Sequence, residues 1–432
     1  MLITDISNVN EKGNLTLGGA DCVTLAEKFG TPLIAYNEDE IIKNCNCFKN
    51  SIDKYYNGNG LVCYASKAFC CKQMIKTVTD CGLGLDVVSG GELYTALKAG
   101  ANPENICFHG NNKTPDELLY ALKENVGRIV VDNLTELDLL NTLSKSVEKK
   151  VKILFRIKPG IDAHTHDFIR TGQIDSKFGL ALENGEAFEA VKKAIELDNI
   201  LLSGLHCHIG SQIFDIEPFV LAAQVMMNFI AKIKNELNFV IEELNLGGGF
   251  GIKYTENDKP VGYDKYMEQV SDKIKQCCKS NGTKLPFIII EPGRSIAGPC
   301  GITLYKIGNI KKIKDVRTYV AVDGGMCDNP RYALYKSEYS ITVANKAGLP
   351  KAEKVTIAGK CCESGDLIQE NILIQAPCEG DVLAVGATGA YNYSMASNYN
   401  RIPKPAVVFI KDGIAREVIK RESFDDLIKN DL

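Results

Sequence analysis

The sequence lacks most of what marks a chain built for nucleic acid, for a membrane or around a structural metal. Basic residues are not in excess. Fifty Lys and Arg stand against 54 Asp and Glu, for a formal net charge of -4, so no nucleic-acid partner is expected. There is no run of about 18 apolar residues, the length a membrane span needs. The 16 cysteines include the adjacent pairs Cys70-Cys71, Cys277-Cys278 and Cys361-Cys362, but no C-x-x-C, which argues against a zinc ribbon. The opening Met1-Leu2-Ile3-Thr4-Asp5 has no basic stretch before an apolar core. No secretory leader is therefore expected, and the cytoplasm is the default compartment, with thiols reduced. An average cysteine here reads as a small buried hydrophobe. Low-complexity segments and long linkers are also missing.

What is present is an ordinary globular composition, 45% hydrophobic and 24% charged over 432 residues, enough for one large domain and a smaller one. From about residue 39 to 298, helix-period stretches alternate with short β-branched runs. The runs are Leu61–Ala65, Leu83–Val88, Ile106–Phe108, Arg128–Val131, Val151–Ile157, Leu201–His206, Ile241–Leu246 and Phe287–Ile290, each preceded by a helical pattern. Eight such repeats fit an α/β fold, a parallel (β/α)8 TIM-like barrel that begins with a helix. An open parallel sheet is the alternative. Beyond residue 298 the pattern turns to short alternating runs and a tight-turn signal at Lys411-Asp412-Gly413-Ile414, as in an all-β barrel or sandwich domain. The expected division is 1–35 joining the β domain, 36–298 as the barrel and 299–432 as the C-terminal β domain.

Polar residues gather where the barrel runs end: Ser66-Lys67, Ser89, His109, Asp132, Arg156 and Lys158, His206 and His208, Gly247-Gly248-Gly249-Phe250-Gly251, and Glu291-Pro292-Gly293-Arg294. Barrel enzymes build their sites at the C-terminal strand ends. Lys67 sits among small and apolar residues, where desolvation can favour a neutral amine fit for a Schiff base; a solvated lysine is the bland reading. The glycine run lets backbone N–H groups approach an anion, or is merely a flexible loop. Arg294 can fork onto a phosphate or carboxylate, and Glu291 can face a ring nitrogen; a mutual salt bridge at the rim is the alternative. His206-Cys207-His208 places two imidazoles on one strand face, but carboxylate-rich partners at metal spacing are lacking, so no metal is expected. A flat imidazole stacked on a ring, with Ser211 donating to a phosphate, fits better. A Lys amine, a phosphate cradle, an acid and a stacking ring together describe a pyridoxal 5'-phosphate (PLP) site.

At these residues the sequence resembles the alanine racemase-type (fold type III) PLP enzymes, and among them the diaminopimelate decarboxylase family. The likeness runs nearly end to end through Tyr64-Ala65-Ser66-Lys67-Ala68, Gly204 to Gln212, Gly247 to Gly251, Glu291 to Arg294, Cys362-Glu363-Ser364-Gly365-Asp366 and Ser397 to Asn400. Thr165-His166-Asp167, Thr171-Gly172 and Ser176 to Gly179 also fit. The resemblance implies a homodimer with shared sites. Lys67 would hold PLP, His208 would stack on its ring and Glu291 would pair with the ring nitrogen. Ser211, Gly249, Gly293, Arg294 and Tyr391 would surround the phosphate, and Pro292 would also line the cofactor site. The partner subunit's Cys362 would return a proton. Two departures stand out. Lys360-Cys361 occupies the place where a Pro often follows Gly359, giving two adjacent thiols, and Arg170 stands where Ser is common.

The resemblance further implies decarboxylation of meso-2,6-diaminopimelate to L-lysine, the last step of lysine biosynthesis. That substrate carries a second amino-acid head, so its pocket needs an acid and an Arg together. Arg294, Arg331, Tyr335, Glu363 and Tyr391 match the family's substrate set. A decarboxylase of ornithine or arginine, a non-catalytic regulatory homologue and a racemase are the competing readings. Retention of Lys67, Gly249 and Arg294 counts against the second. Cys362 beside an acid counts against the third, which needs a base on each face of the ring.

Overall fold

The computed structural model describes residues 4–161 and 176–432. The segments Thr165-His166-Asp167 and Thr171-Gly172, with Arg170, lie outside the described residues. The chain divides into two compact units, Asn44–Gly251 with Pro260–Ser295, and Met1–Lys43 with Ile252–Lys259 and Ile296–Leu432.

In the first unit every expected strand forms. In barrel order they are Gly60–Ala65, Gly84–Val87, Ile106–Phe108, Arg128–Val131, Val151–Lys158, Ile200–Cys207, Glu243–Asn245 and Phe287–Ile290. Each pairs in parallel with the next, and the eighth returns to the first, with Ile288 opposite Gly60. The sheet is therefore closed, and the open-sheet alternative is excluded. A two-residue strand, Leu180–Ala181, lies beside the fifth. Cys63, Cys107, Val130, Leu154 and Ile289 fill the interior, as small and branched side chains do in a packed barrel.

Local signals set the helices. Thr114 and Glu117 form a capping box ahead of Pro115–Lys123, with Pro at the first position, where its missing N–H costs nothing. Ser89 caps Gly90–Lys98 by accepting from the Glu92 N–H. Its polar atom at a strand end is thus spent on the helix.

In the second unit the strand Gly301–Ile313 pairs with Leu33–Asn37 and Val382–Val385 at its start and with Arg317–Val322 at its end. Leu33–Asn37 in turn runs parallel to Ala406–Lys411. The N-terminal run is thus an interior strand of this sheet. Asp412 and Gly413 have φ of 50° and 76°, the two left-handed positions of a tight hairpin turn into Ile414–Ile419. Ile252 and Tyr254, just past the glycine run, belong to one of this unit's cores, with Tyr305, Tyr339 and Ile341. Among the described residues no helix is long and apolar enough to cross a membrane.

Candidate active site

In the barrel unit the ends of four strands are sewn together through backbone and glycine. Ala65 N–H donates to the Pro292 carbonyl (3.1 Å), and Glu291 N–H donates to that of Gly247 (2.7 Å). Ile213 N–H donates to Gly249 O (2.9 Å). The glycines are required by contact. A Cβ at Gly248 would lie 2.1 Å from the Glu291 carbonyl oxygen, and one at Gly249, whose φ is +111°, 2.5 Å from that of Gly210. A Cβ at Gly293 would meet Ala65 at 2.9 Å. Side chains are excluded, and the backbone stays open to a close-approaching anion. The turn is anchored. Phe250, the one large residue in it, packs against Phe48, Phe219, Tyr263 and Tyr266 at ring separations of 4.7–5.4 Å. That is not the flexible loop a glycine run otherwise suggests.

Glu291 is the centre of this unit's polar network. Its Oε1 accepts from His109 Nε2 (2.7 Å) and Asn245 Nδ2 (2.6 Å), and its Oε2 faces His206 Nε2 (3.2 Å). All four side chains are buried. Burial alone would raise Glu291. The charge of His109 and the hydrogen bonds from both His109 and His206 reverse this and hold it well below the usual carboxylate range. Burial pushes His206 down to about 4, so it is a neutral donor at neutral pH. The ligand-capable atoms of His109, His206 and Glu291 lie within 4.8 Å of one another, but they are already bonded to one another, as a clamp on the carboxylate. The salt bridge to Arg294 considered from sequence is not what engages Glu291. Arg294 Nη2 instead donates to Ser211 Oγ (2.9 Å).

His208 accepts from the Gly248 N–H through Nδ1 (3.3 Å). Burial, and then the positive charges of Lys67 and Arg156, drive its pKa well down. It is therefore a neutral, flat ring beside the glycine turn. Lys67 lies on a single turn, Ser66–Ala68, at the end of the first strand. It is exposed rather than desolvated as its neighbours suggested, because Ser66 and Ala68 take the buried positions. Its charge acts on Asp86, Glu92 and His208, which places the amine by the same mouth. PLP fits these residues. There is a cradle that a Cβ would fill, a neutral imidazole, an amine, and a buried ionised acid. That acid has about four lone-pair directions, of which three are engaged.

Sequence reading links none of these three donors to Glu291. His109 and His206 stand there only as polar residues at strand ends, His206 also as half of an H-x-H pair, and Asn245 lies within the apolar run Ile241–Leu246, although it is the last residue of its strand.

The second unit carries the remaining candidates. Arg331 opens the helix Arg331–Tyr335 and is buried. Its Nη1 donates to the hydroxyls of Tyr254 (3.0 Å) and Tyr339 (3.2 Å), and its plane lies 5.0 and 5.9 Å from the rings of Tyr254 and Tyr391. Burial opposes its charge, but the phenol oxygens raise its pKa. Tyr391 has φ of 72°, an outlier for an aromatic residue. The preceding loop is held by two acids. Asp366 accepts from the N–H groups of Met326 (2.6 Å) and Cys361 (2.7 Å). Asp328 accepts from the Tyr305 hydroxyl and the Gly325 N–H. Cys361 is buried against Cys327, whereas Cys362, Glu363 and Tyr335 are exposed. Cys362 N–H is fixed by Asn400 Oδ1 (2.7 Å).

Residues 38–298 match the family described as pyridoxal-dependent decarboxylase, pyridoxal binding domain. The diaminopimelate decarboxylase of Bacillus subtilis (strain 168) is 49% identical over 435 residues, spanning 100% of this chain and 98% of that protein. The chain belongs to the diaminopimelate decarboxylase family. The Bacillus methanolicus member is 50% identical over 96% of each chain. The crystal structure of the family member from M. jannaschii, in complex with L-lysine, superposes with a TM-score of 0.92 at 35% identity, over 100% of this chain and 99% of that one. The likeness extends through both units, so the β unit is as much a part of the family's architecture as the barrel.

Proposed function

We propose that this enzyme decarboxylates meso-2,6-diaminopimelate to L-lysine and carbon dioxide with PLP as cofactor, closing lysine biosynthesis. The observation that carries the reading is the buried, ionised Glu291, set beside a glycine cradle and the neutral His208 in a chain that shares its full length with the family. When bound, the pyridine ring supplies an electron sink for the carbon that loses carbon dioxide.

The chain's own residues divide the work. Lys67 provides the amine for covalent attachment. Glu291 would hold the ring nitrogen in its protonated form, and His208 would offer its flat face to the ring. Ser211, Gly249, Gly293, Arg294 and Tyr391 would hold the phosphate, with Pro292 lining the cofactor site. For the substrate, Arg294, Arg331, Tyr335 and Tyr391 take the carboxylate end, and Glu363 takes the ammonium. Cys362 returns a proton to the carbon that lost carbon dioxide, acting from the partner subunit in a homodimer. The exposure of Cys362 and Glu363 supports a role completed by a second copy. Sixteen free thiols support a reducing, cytoplasmic setting.

Carbon dioxide release from meso-diaminopimelate, ornithine and arginine tests the assignment. A site whose buried Arg meets no second carboxylate on ornithine or arginine should reject them by roughly 10⁴-fold. Turnover of ornithine equal to that of diaminopimelate would overturn it.

A further inference from the structure

Glu291 does not hold itself. Its Oε1 takes two hydrogen bonds, from His109 Nε2 at 2.7 Å and Asn245 Nδ2 at 2.6 Å, and its Oε2 takes one from His206 at 3.2 Å. The three donors come from the ends of the third, seventh and sixth strands, so the carboxylate is gripped from across the barrel. A carboxylate has about four lone-pair directions, and the one left is on Oε2. His109 is the shorter of the two imidazole contacts. It also faces Asp86 from the second strand, with Nε2 3.8 Å from Oδ1, and meets the His206 ring edge-on at 4.8 Å. The charge of Asp132, just past the end of the fourth strand, also acts with His109.

We propose that His109 is a positioning residue: its N–H ties down Oε1 so that Glu291 stays ionised with one Oε2 lone pair aimed at the ring nitrogen of the cofactor. The inference rests on the assignment of Glu291 to that nitrogen. The physical argument is one of supply. A fully buried carboxylate that loses a donor is driven toward its protonated form. A neutral acid no longer stabilises a protonated pyridine, and the ring loses its capacity as an electron sink. Neither His206, on the other oxygen, nor Asn245, already bonded to the same one, can replace the missing donor.

The test is the ¹⁵N resonance of the pyridine nitrogen in holoenzyme reconstituted with labelled PLP, followed across neutral pH. His109→Leu is expected to move the signal from the pyridinium to the neutral-pyridine position. His109→Gln, which keeps an N–H at similar reach, is expected to restore it. Should the leucine variant not fold, His109→Asn, polar but too short for Oε1, takes its place under the same criterion. A pyridinium signal unchanged in the donor-deficient variant overturns the proposal, and so does failure of the glutamine variant to restore it. Glu291→Gln separates the two claims. If it too leaves the pyridinium intact, the assignment of Glu291 is what fails. If it removes the proton while His109→Leu does not, only the role of His109 falls.

Discussion

The mouth of the barrel and the turn at 361–366 in the β unit treat their functional groups in opposite ways. Around Glu291 the carboxylate and the side chains that bond it are buried within the unit, and glycines are required because backbone oxygens stand 2.1–2.5 Å from where a Cβ would be at Gly248 and Gly249. At the turn, Asp366 is buried and pins the backbone, but Cys362 and Glu363 project from it exposed. Organisation ahead of binding is concentrated where a ring and a phosphate must be held in one orientation. The thiol proposed to deliver a proton is instead carried on a pinned backbone with its side chain left accessible. The first region lowers the cost of ordering the cofactor. The second leaves its thiol exposed on a backbone fixed by Asp366 and Asn400.

The largest effect should come from breaking the barrel side of this contrast. Lys67→Ala removes the amine and leaves the cradle, the imidazole and the acid untouched. The visible absorption of the bound cofactor and all turnover should disappear, while the fold persists, because Lys67 is exposed and carries no core packing. Retention of the visible band after dialysis would remove Lys67 from its role, and with it the argument that the mouth is a cofactor site.

The contrast sharpens at Cys362. If the turn supplies only the proton, Cys362→Ala should lower kcat by about 10²- to 10⁴-fold, the range of a lost general acid, with cofactor absorbance unchanged. Cys361→Ala is the comparison, since that thiol is buried against Cys327 and its loss should show in stability first. Full activity in Cys362→Ala would move the donor role to Cys361 or elsewhere.

How far these roles could be read from sequence follows the same divide. The eight-strand period was legible because each parallel strand is a short β-branched run between amphipathic helices, and the strands Ile106–Phe108, Arg128–Val131 and Phe287–Ile290 begin and end where the pattern says. The long strand Gly301–Ile313 ran six residues past its apolar run. Its second half is exposed and alternates without hydrophobic contrast, while pairing with Arg317–Val322 carries it on. Lys67, the glycine run and Glu291 were legible from their place at strand ends. The clamp on Glu291 was not, because it is a relation between three strands distant in sequence, and no local spacing encodes which strand tips face one carboxylate.

Arg331 tests the contrast from its other side, since it is a buried group in the unit whose turn residues are exposed. Both of its hydrogen bonds leave from Nη1 to phenol oxygens, and among the described residues no carboxylate pairs with it. The phenols satisfy the cation without neutralising it, so it retains charge for an anion. A substrate carboxylate would gain a charge-assisted hydrogen bond, worth about 1.5–3 kcal/mol. Arg331→Ala should accordingly raise KM for diaminopimelate by roughly 10- to 150-fold, since about 1.4 kcal/mol is a factor of ten, with cofactor affinity nearly unchanged. Arg331→Lys keeps the charge but loses the fork, and should recover only part of the deficit. Ornithine, which has no second carboxylate, should lose nothing, so discrimination between the two substrates should shrink by the same factor. Equal losses for cofactor and diaminopimelate would mean that Arg331 serves the packing of Tyr254 and Tyr339 alone, and the distal carboxylate would then need another partner.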